Sequence, residues 1–551
     1  MPAINFKKII LYFTLTGLVL TLWDAWQHEH IETKSVIRKA NTFSALTESS
    51  DELTPLVLER QGKGVTPQTP EDRLVHVKTN VLDVKIDTLG GDIVEVNLPA
   101  YRKTFKSNND SPIQILSNNQ ENFYISQSGL LSKTGSQIPL QYSSTKKNYI
   151  LEDKKEKLVV ILKGCAENNL CVTKNYEFLP NQYAIQINQI IHNTSSNPWV
   201  GQTYGQIQYR KPVKTGSSHA LGLNTYTGAA FYTVDKPYTK LSYQSMEEKN
   251  LDESVEGGWL ALQQRYFLSA WVPDKQEKNR YFSRFSSNEI YTLGFLGPIM
   301  ELQPGDEKIT TAKFYVGPES TSNLKVLAKG LDLTIDYGWL WIISMGIFWV
   351  MQHIYRIVGN WGWSIILVTV FIKLIFFKLS ETSYRSMAKM KKFQPRIAEL
   401  KQRYGNDKQQ LSKATIELYR KEKINPLGGC LPFIVQIPVF IALYYVLIES
   451  VELRHAPFVF WIQDLSSKDP YFILPVLMGI SMLVQQKLNP PPADPVQAKV
   501  MMLLPVMFTI FFIGFPSGLV LYWIVNNCLS ILQQWYITSR IEKGYLSNAR
   551  K

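Results

Sequence analysis

The chain has 551 residues, 45% of them hydrophobic and 19% charged, with a formal net charge of +13 and four cysteines. That length admits several domains, while so few cysteines exclude a disulfide scaffold. A positive excess by itself leaves nucleic acid, anionic lipid and acidic partners open, so where the charge sits matters more than its sum. Apolar residues gather before about residue 25 and after about residue 339, and the stretch between is rich in Asn, Ser, Thr, Lys and Tyr. One chain therefore joins a membrane part to a water-soluble part.

Residues 1–29 open with Lys7-Lys8 and the apolar run Ile9 to Trp23, the layout of a signal peptide. Trp23-Asp24-Ala25-Trp26 offers no small-residue cleavage site, which predicts an uncleaved anchor with its amino terminus inside and the tryptophans at the outer interface. Residues 30–70 read as a linker without sustained periodicity. Residues 71–320 read as a mostly antiparallel β-sandwich. A hairpin is predicted from Val81–Asp87, Gly90-Gly91 and Ile93–Val96, and further strands over Leu158–Leu162, Val172–Phe178, Tyr183–Ile191, Trp259–Val272 and Ile309–Val316. Cys165 and Cys171 are close enough in sequence to staple a hairpin loop if this domain is exported, stabilising it by about 2 kcal/mol; two free thiols are the alternative.

After Gly317-Pro318 the period becomes helical, and residues 321–358 are assigned to linking and interfacial helices. Trp339–Met351 is apolar but only about 20 Å long, short of the roughly 30 Å of hydrocarbon, so it is expected along the outer membrane surface. Five spans are expected at Trp361–Leu379, Leu431–Leu447, Phe472–Leu488, Met501–Phe515 and Gly518–Leu532, making six with the anchor. The second span thus fills 359–380, a basic loop 381–430, spans three to six 431–535 and a basic tail 536–551. The loop holds twelve basic and five acidic residues, which places it, and both termini, in the cytoplasm. Met387, Met390, Phe393, Ile397, Leu400 and Tyr404, followed by a turn at Gly405-Asn406-Asp407 and by Leu411, Ala414 and Leu418, predict a helical hairpin there. Most of its basic surface reads as solvated, with docking of a ribosome or nascent chain as the functional addition.

Lys373 lies inside the second span, where a cation costs roughly 2.5–3.5 kcal/mol and by default marks a site; snorkelling to the inner interface is the structural alternative. It is about 9 Å from the inner end of its span, and Gln436, Asn526 and Asn527 sit at about the same depth. Thr369 is one turn outward of Lys373, and Thr509 lies mid-membrane in the fifth span. Polar groups at one level predict a wetted cavity open to the cytoplasm, against a reading of the amides as interhelical hydrogen-bond glue. The expected spans contain no Asp or Glu, the nearest being Glu449 at an outer end, which argues against an ion-coupled transporter or channel.

The run Asn425-Pro426-Leu427-Gly428-Gly429-Cys430-Leu431-Pro432, with Gln436-Ile437-Pro438 and Ala442-Leu443-Tyr444-Tyr445, resembles the third-span signature of the YidC family. Val358-Gly359-Asn360-Trp361-Gly362, Ser386-Met387-Ala388-Lys389-Met390, Phe515-Pro516-Ser517-Gly518-Leu519 and Tyr315-Val316-Gly317-Pro318 carry the same resemblance. It implies an α-helical polytopic inner-membrane insertase with a periplasmic β-supersandwich and a groove closed to the outside. The implied substrates are nascent membrane proteins, and the implied partners are the SecYEG translocon with SecDF, the ribosome and lipid. Lys373 takes a position where many members carry Arg, keeping the charge but not the bidentate fork, and Tyr522 joins the implied groove set with Thr369, Gln436, Thr509, Asn526 and Asn527. Gly514 and Trp523 depart from the pattern of some relatives.

An enzyme reading has little support. Ser143–Lys146 fits Ser-x-x-Lys and Lys214-Thr215-Gly216 a later penicillin-binding motif, but Ser-Asp-Asn is absent and the flanks read as strands. His28-Glu29-His30 is too isolated for a metal site, and no cofactor, metal or specific nucleic-acid recognition is expected.

Overall fold

The computed structural model describes residues 70–103, 111–152, 155–211, 226–286, 288–404, 407–422, 431–489 and 495–548. The expected anchor with His28-Glu29-His30, the linker up to residue 69, Lys214-Thr215-Gly216, Gly405-Asn406 and Asn425–Cys430 lie outside the described residues.

The described strands form an eleven-stranded and a nine-stranded sheet. Strand Leu170–Phe178 alternates strictly between buried and half-buried positions and pairs antiparallel with Leu158–Cys165 and Ala184–Asn193. The last of these pairs in turn with Glu307–Pro318, Ile187 opposite Ala312. Period-two patterning thus puts Val172, Tyr176, Phe178, Ile185 and Ile187 in one core, where each large apolar side chain stabilises by roughly 1.5–3 kcal/mol. Trp271 of the nine-stranded sheet meets Phe295 of the other at a ring-centroid distance of 5.8 Å and Phe314 of its own sheet at 5.0 Å. At the expected hairpin, Asp83–Asp87 pairs with Asp92–Arg102 through Gly90 and Gly91, both at positive φ.

Three local details depart from the sequence reading. Trp259–Val272 is two strands, Leu260–Gln264 and Phe267–Pro273, folded back at Arg265-Tyr266. Tyr266 takes φ 70°, so no Gly, Asn or Asp betrays this turn, and only the polar triplet Gln263-Gln264-Arg265 interrupts the apolar pattern. A short helix α1 (Tyr243–Glu248), capped by Ser242 accepting from the Ser245 amide at 3.1 Å, interrupts the strands. Asn148–Ile150 pairs parallel with Leu74–Lys78, the exception among the strand pairs of the described residues. Cys165 and Cys171 are register partners and form a disulfide in the structure. Ser143 sits on a two-residue strand with its hydroxyl on the Lys163 carbonyl, not at a helix start.

The sandwich core also contains a charge. Lys174 is 0% exposed, and its ammonium donates to the carbonyls of Gly90 at 2.8 Å and Ser128 at 2.6 Å and to the Ser128 hydroxyl at 3.1 Å. Tyr176 fills the same space, donating to the Gly91 carbonyl.

Beyond the sandwich run α2 (Thr321–Leu327), α3 (Trp341–Val358), α4 (Trp361–Ile375), α5 (Phe377–Lys392), α6 (Gln394–Tyr404), α7 (Lys408–Lys421), α8 (Leu431–Glu449), α9 (Ile473–Leu488), α10 (Pro495–Phe512) and α11 (Ser517–Asn548). Helix α11 packs on α4, α5, α8 and α9, and α3 packs on α4 and α8. Their outward faces are apolar: Phe371, Leu374, Leu477, Ile480, Leu503 and Ile510 are all exposed. Water does not tolerate a contiguous apolar surface of this kind, whereas hydrocarbon does.

Helix lengths differ from expectation. The helix expected along the membrane surface extends two turns past Met351 to Val358, and Gly338–Val358 is the one continuous stretch among the described residues long and apolar enough to cross a membrane by itself. Its last turns carry Gln352, His353 and Arg356, so the purely apolar part remains short. The expected second span, Trp361–Leu379, is broken: α4 stops at Ile375, and the chain bends by 68° into α5. At about 22 Å, α4 falls short of the hydrocarbon thickness. The first arm of the expected hairpin breaks at Phe393 into α5 and α6, while Asp407 caps α7 by accepting from the amides of Gln409 and Gln410. Arg396 pairs with Glu422 at 3.2 Å, joining the start of α6 to the end of α7.

Candidate functional site

Helix α4 begins where Gly359, at φ 69°, closes α3 and Asn360 accepts from the Trp363 amide at 3.2 Å. A Cβ on Gly362 would overlap the Phe458 ring, so glycine lets the loop after α8 lie against the outer end of α4. From that fixed start, Lys373 falls in the last turn of α4, just before the bend. A cation there is favoured by the helix dipole, which a helix continuing to Leu379 would not supply at this position.

The Lys373 ammonium donates to the Ser530 hydroxyl on α11 at 2.7 Å. Ser530 in turn donates to the Asn526 carbonyl at 2.7 Å. Among the described residues, no Asp or Glu forms an ion pair with Lys373. Lys373 and Gln436 share a cavity of about 20 Å³ with Phe376, Ser380, Val435 and Val439, enough for a water molecule. Gln436 donates to the Tyr522 hydroxyl, which ties α8 to α11. Lys373, Gln436, Tyr522 and the Asn526–Ser530 turn therefore stand together where α4, α5, α8 and α11 meet.

The other candidates do not join them. Thr369 and Thr509 give their hydroxyls to carbonyls of their own helices, Ile365 at 2.6 Å and Pro505 at 2.8 Å. Thr509 also fills the space over Gly479 on α9, where a Cβ would overlap its hydroxyl. Asn527 donates to Ser481 of α9 at 2.9 Å, the interhelical tie considered as its structural alternative. Asn526 is buried with its side-chain oxygen unpartnered among the described residues, and its carbonyl rather than its amide serves the site. Sequence reasoning missed Ser530, since serine is unremarkable in a membrane helix. The available signal was its spacing of one turn from Asn526, opposite a buried cation.

Residues 74–350 match the family described as the YidC periplasmic domain, and residues 353–544 the 60Kd inner membrane protein family. A protein of Coxiella burnetii (strain Dugway 5J108-111) named membrane protein insertase YidC is 48% identical over 98% of this chain and 97% of its own. The chain belongs to the YidC family. A second relative of that name, from Legionella pneumophila (strain Paris), is 47% identical over 97% of both chains. A crystal structure described as an active YidC insertase, with its first transmembrane domain resolved, aligns at 17% identity over 84% of this chain and 92% of its own, with a TM-score of 0.39. This YidC-family chain is thus an inner-membrane protein with a periplasmic antiparallel sandwich, and a membrane insertase, not an enzyme.

Proposed function

We propose that the chain inserts nascent membrane proteins into the bacterial inner membrane by receiving their hydrophilic segments in a positively charged hollow open to the cytoplasm. The observation that carries this reading is Lys373, an ammonium at the end of a short apolar helix whose side-chain partner is neutral and whose cavity is shared with Gln436. An ammonium so placed has donors to spare for a carboxylate or carbonyl of a passing chain. The shortness of α4 reduces the apolar thickness such a segment must cross. Its hydrophobic segment meanwhile moves along the helices into lipid, and transfer of that apolar area supplies the driving force without nucleotide.

In this reading the chain has six spans, with both termini and the basic α5–α7 arms in the cytoplasm, and α3 lies along the outer surface. The basic arms and tail receive the ribosome and anionic lipid, and the chain works alone or beside SecYEG with SecDF. Thr369, Thr509, Asn526 and Asn527 shape the helices around the hollow, while Lys373 and Gln436 line it and Tyr522 holds Gln436 from behind. Complementation of an insertase-depleted bacterium tests the proposal. Lys373→Arg should restore growth, and Lys373→Glu should block insertion of clients with acidic translocated tails. Full rescue by Lys373→Ala, with acidic and neutral clients inserted equally, would sink the charged hollow.

A further inference from the structure

Ser530 stands in a chemical position that its size conceals. Its hydroxyl proton is committed to the Asn526 carbonyl one turn back, at 2.7 Å, so it presents only lone pairs towards α4. The Lys373 ammonium takes one of those lone pairs at 2.7 Å, and the side chain of Tyr384 on α5 also bonds Ser530. A serine locked in this way accepts from a cation and offers no proton to an arriving carboxylate. It also bears no charge, so it orients the ammonium without neutralising it; an Asp at the same place would do both. Ser530 is buried, and the polar groups one helical turn to either side, Asn526 and Gln534, are buried with it, so the anchor belongs to the rigid packing of α11 and not to a mobile surface. The cavity wall formed by Ser380, Gln436 and Val439 lies against the same lysine, so its remaining donors have room for one small polar group or a water.

We infer that Ser530 is a positioning residue that parks the Lys373 ammonium on the last helix between clients and so sets the preference for acidic hydrophilic segments. The inference rests on the charged hollow proposed above and adds a residue and a selectivity to it. A carboxylate outcompetes a neutral hydroxyl for an ammonium, because both accept from a charged donor but only the carboxylate adds the attraction of opposite charges. Handing Lys373 from Ser530 to the client is therefore downhill, while a neutral client gains nothing from the exchange. Without the hydroxyl the lysine stem is free to swing towards the inner interface, and the ammonium is no longer held where an acidic segment arrives.

The test uses the full-length protein in proteoliposomes with two clients identical except for an acidic or a neutral translocated tail. Ser530→Ala should lower insertion of the acidic-tail client about three- to tenfold, the net effect of one ordinary hydrogen bond, and leave the neutral-tail client at wild type. Ser530→Thr should restore it, because threonine can make the same bond to the carbonyl four residues back. Ser530→Asp should reproduce the Lys373→Ala phenotype. Acylation of Lys373 by an amine reagent added from the cytoplasmic side should quicken in Ser530→Ala. Equal loss for both clients, no loss for either, or no rescue by threonine would overturn the role of Ser530. If Lys373→Ala itself fails to separate the two clients, the hollow is what fails.

Discussion

In the periplasmic sandwich, strand Leu170–Phe178 turns Val172, Tyr176 and Phe178 into the core and Thr173, Asn175 and Glu177 outward. Helices α9, α10 and α11 do the reverse, exposing Leu477, Ile480, Leu503, Ile510 and Leu532 and burying Ser481, Asn526, Asn527, Ser530 and Gln534. The same physics operates in both regions, with a different solvent outside each. Two lysines make the contrast concrete. Lys174, wholly buried in the sandwich, is wrapped by two carbonyls and a hydroxyl and has the character of a structural pin. Lys373, among the helices, has one neutral hydroxyl and a cavity beside it. A buried cation saturated by fixed acceptors holds a fold together, and one left with donors to spare is available to something that arrives.

That comparison can be broken at each lysine. The largest effect is expected at Lys373: charge reversal to Glu should reduce insertion of acidic-tail clients by tenfold or more while leaving the thermal unfolding of the sandwich unchanged. Lys174→Ala should do the opposite, destabilising the sandwich by roughly 3–5 kcal/mol, because it leaves a cavity and orphaned buried carbonyls. The measurement is the unfolding transition of the full chain, with client selectivity retained at permissive temperature. If Lys174→Ala proved neutral, saturation by carbonyls would not distinguish a structural lysine from a functional one.

Smaller effects sharpen the picture of the exported half. Cys165→Ser should lower its stability by about 2 kcal/mol, the loop-closure value for so short a loop, and reductant should have no further effect on that variant. At the junction between the sandwich and the outer end of α8, burial pushes the Glu452 carboxyl up to about 7. Burial, reinforced by repulsion from Glu449, also holds Glu319 well above the usual carboxylate range. Raised values in the folded state mean that folding favours the protonated form. The contribution is therefore full below the unfolded value of about 4.3 and lost as pH rises through about 7. Melting temperature should fall between pH 5 and pH 8, and Glu452→Gln should flatten that fall by about 2–4 °C. A melting curve independent of pH would show that the junction is wetter than its packing suggests.

Much of this was legible in the chain. The strands Leu158–Leu162, Val172–Phe178, Tyr183–Ile191 and Ile309–Val316 follow from period-two patterning, and the helices near Leu431, Phe472, Met501 and Gly518 from apolar runs. The fold-back at Arg265-Tyr266 was not, because its left-handed residue is a tyrosine and no turn-forming Gly, Asn, Asp or Pro accompanies it. Nor was the end of α4, since nothing in Ile375-Phe376-Phe377 marks a bend.

The site divides in the same way. Sequence alone determined that a cation lies among apolar residues at 373 and that amides sit at a similar depth, because depth along a helix is a count of residues at a fixed rise. Only the tertiary structure decided which of those groups meet: Lys373 with Ser530 and Gln436 with Tyr522, while Thr369 and Thr509 bond back to their own helices. Rotation about each helix axis and the choice of neighbouring helix are set by packing between segments far apart in the chain. That packing fixed the partner of Lys373, 157 residues away in sequence.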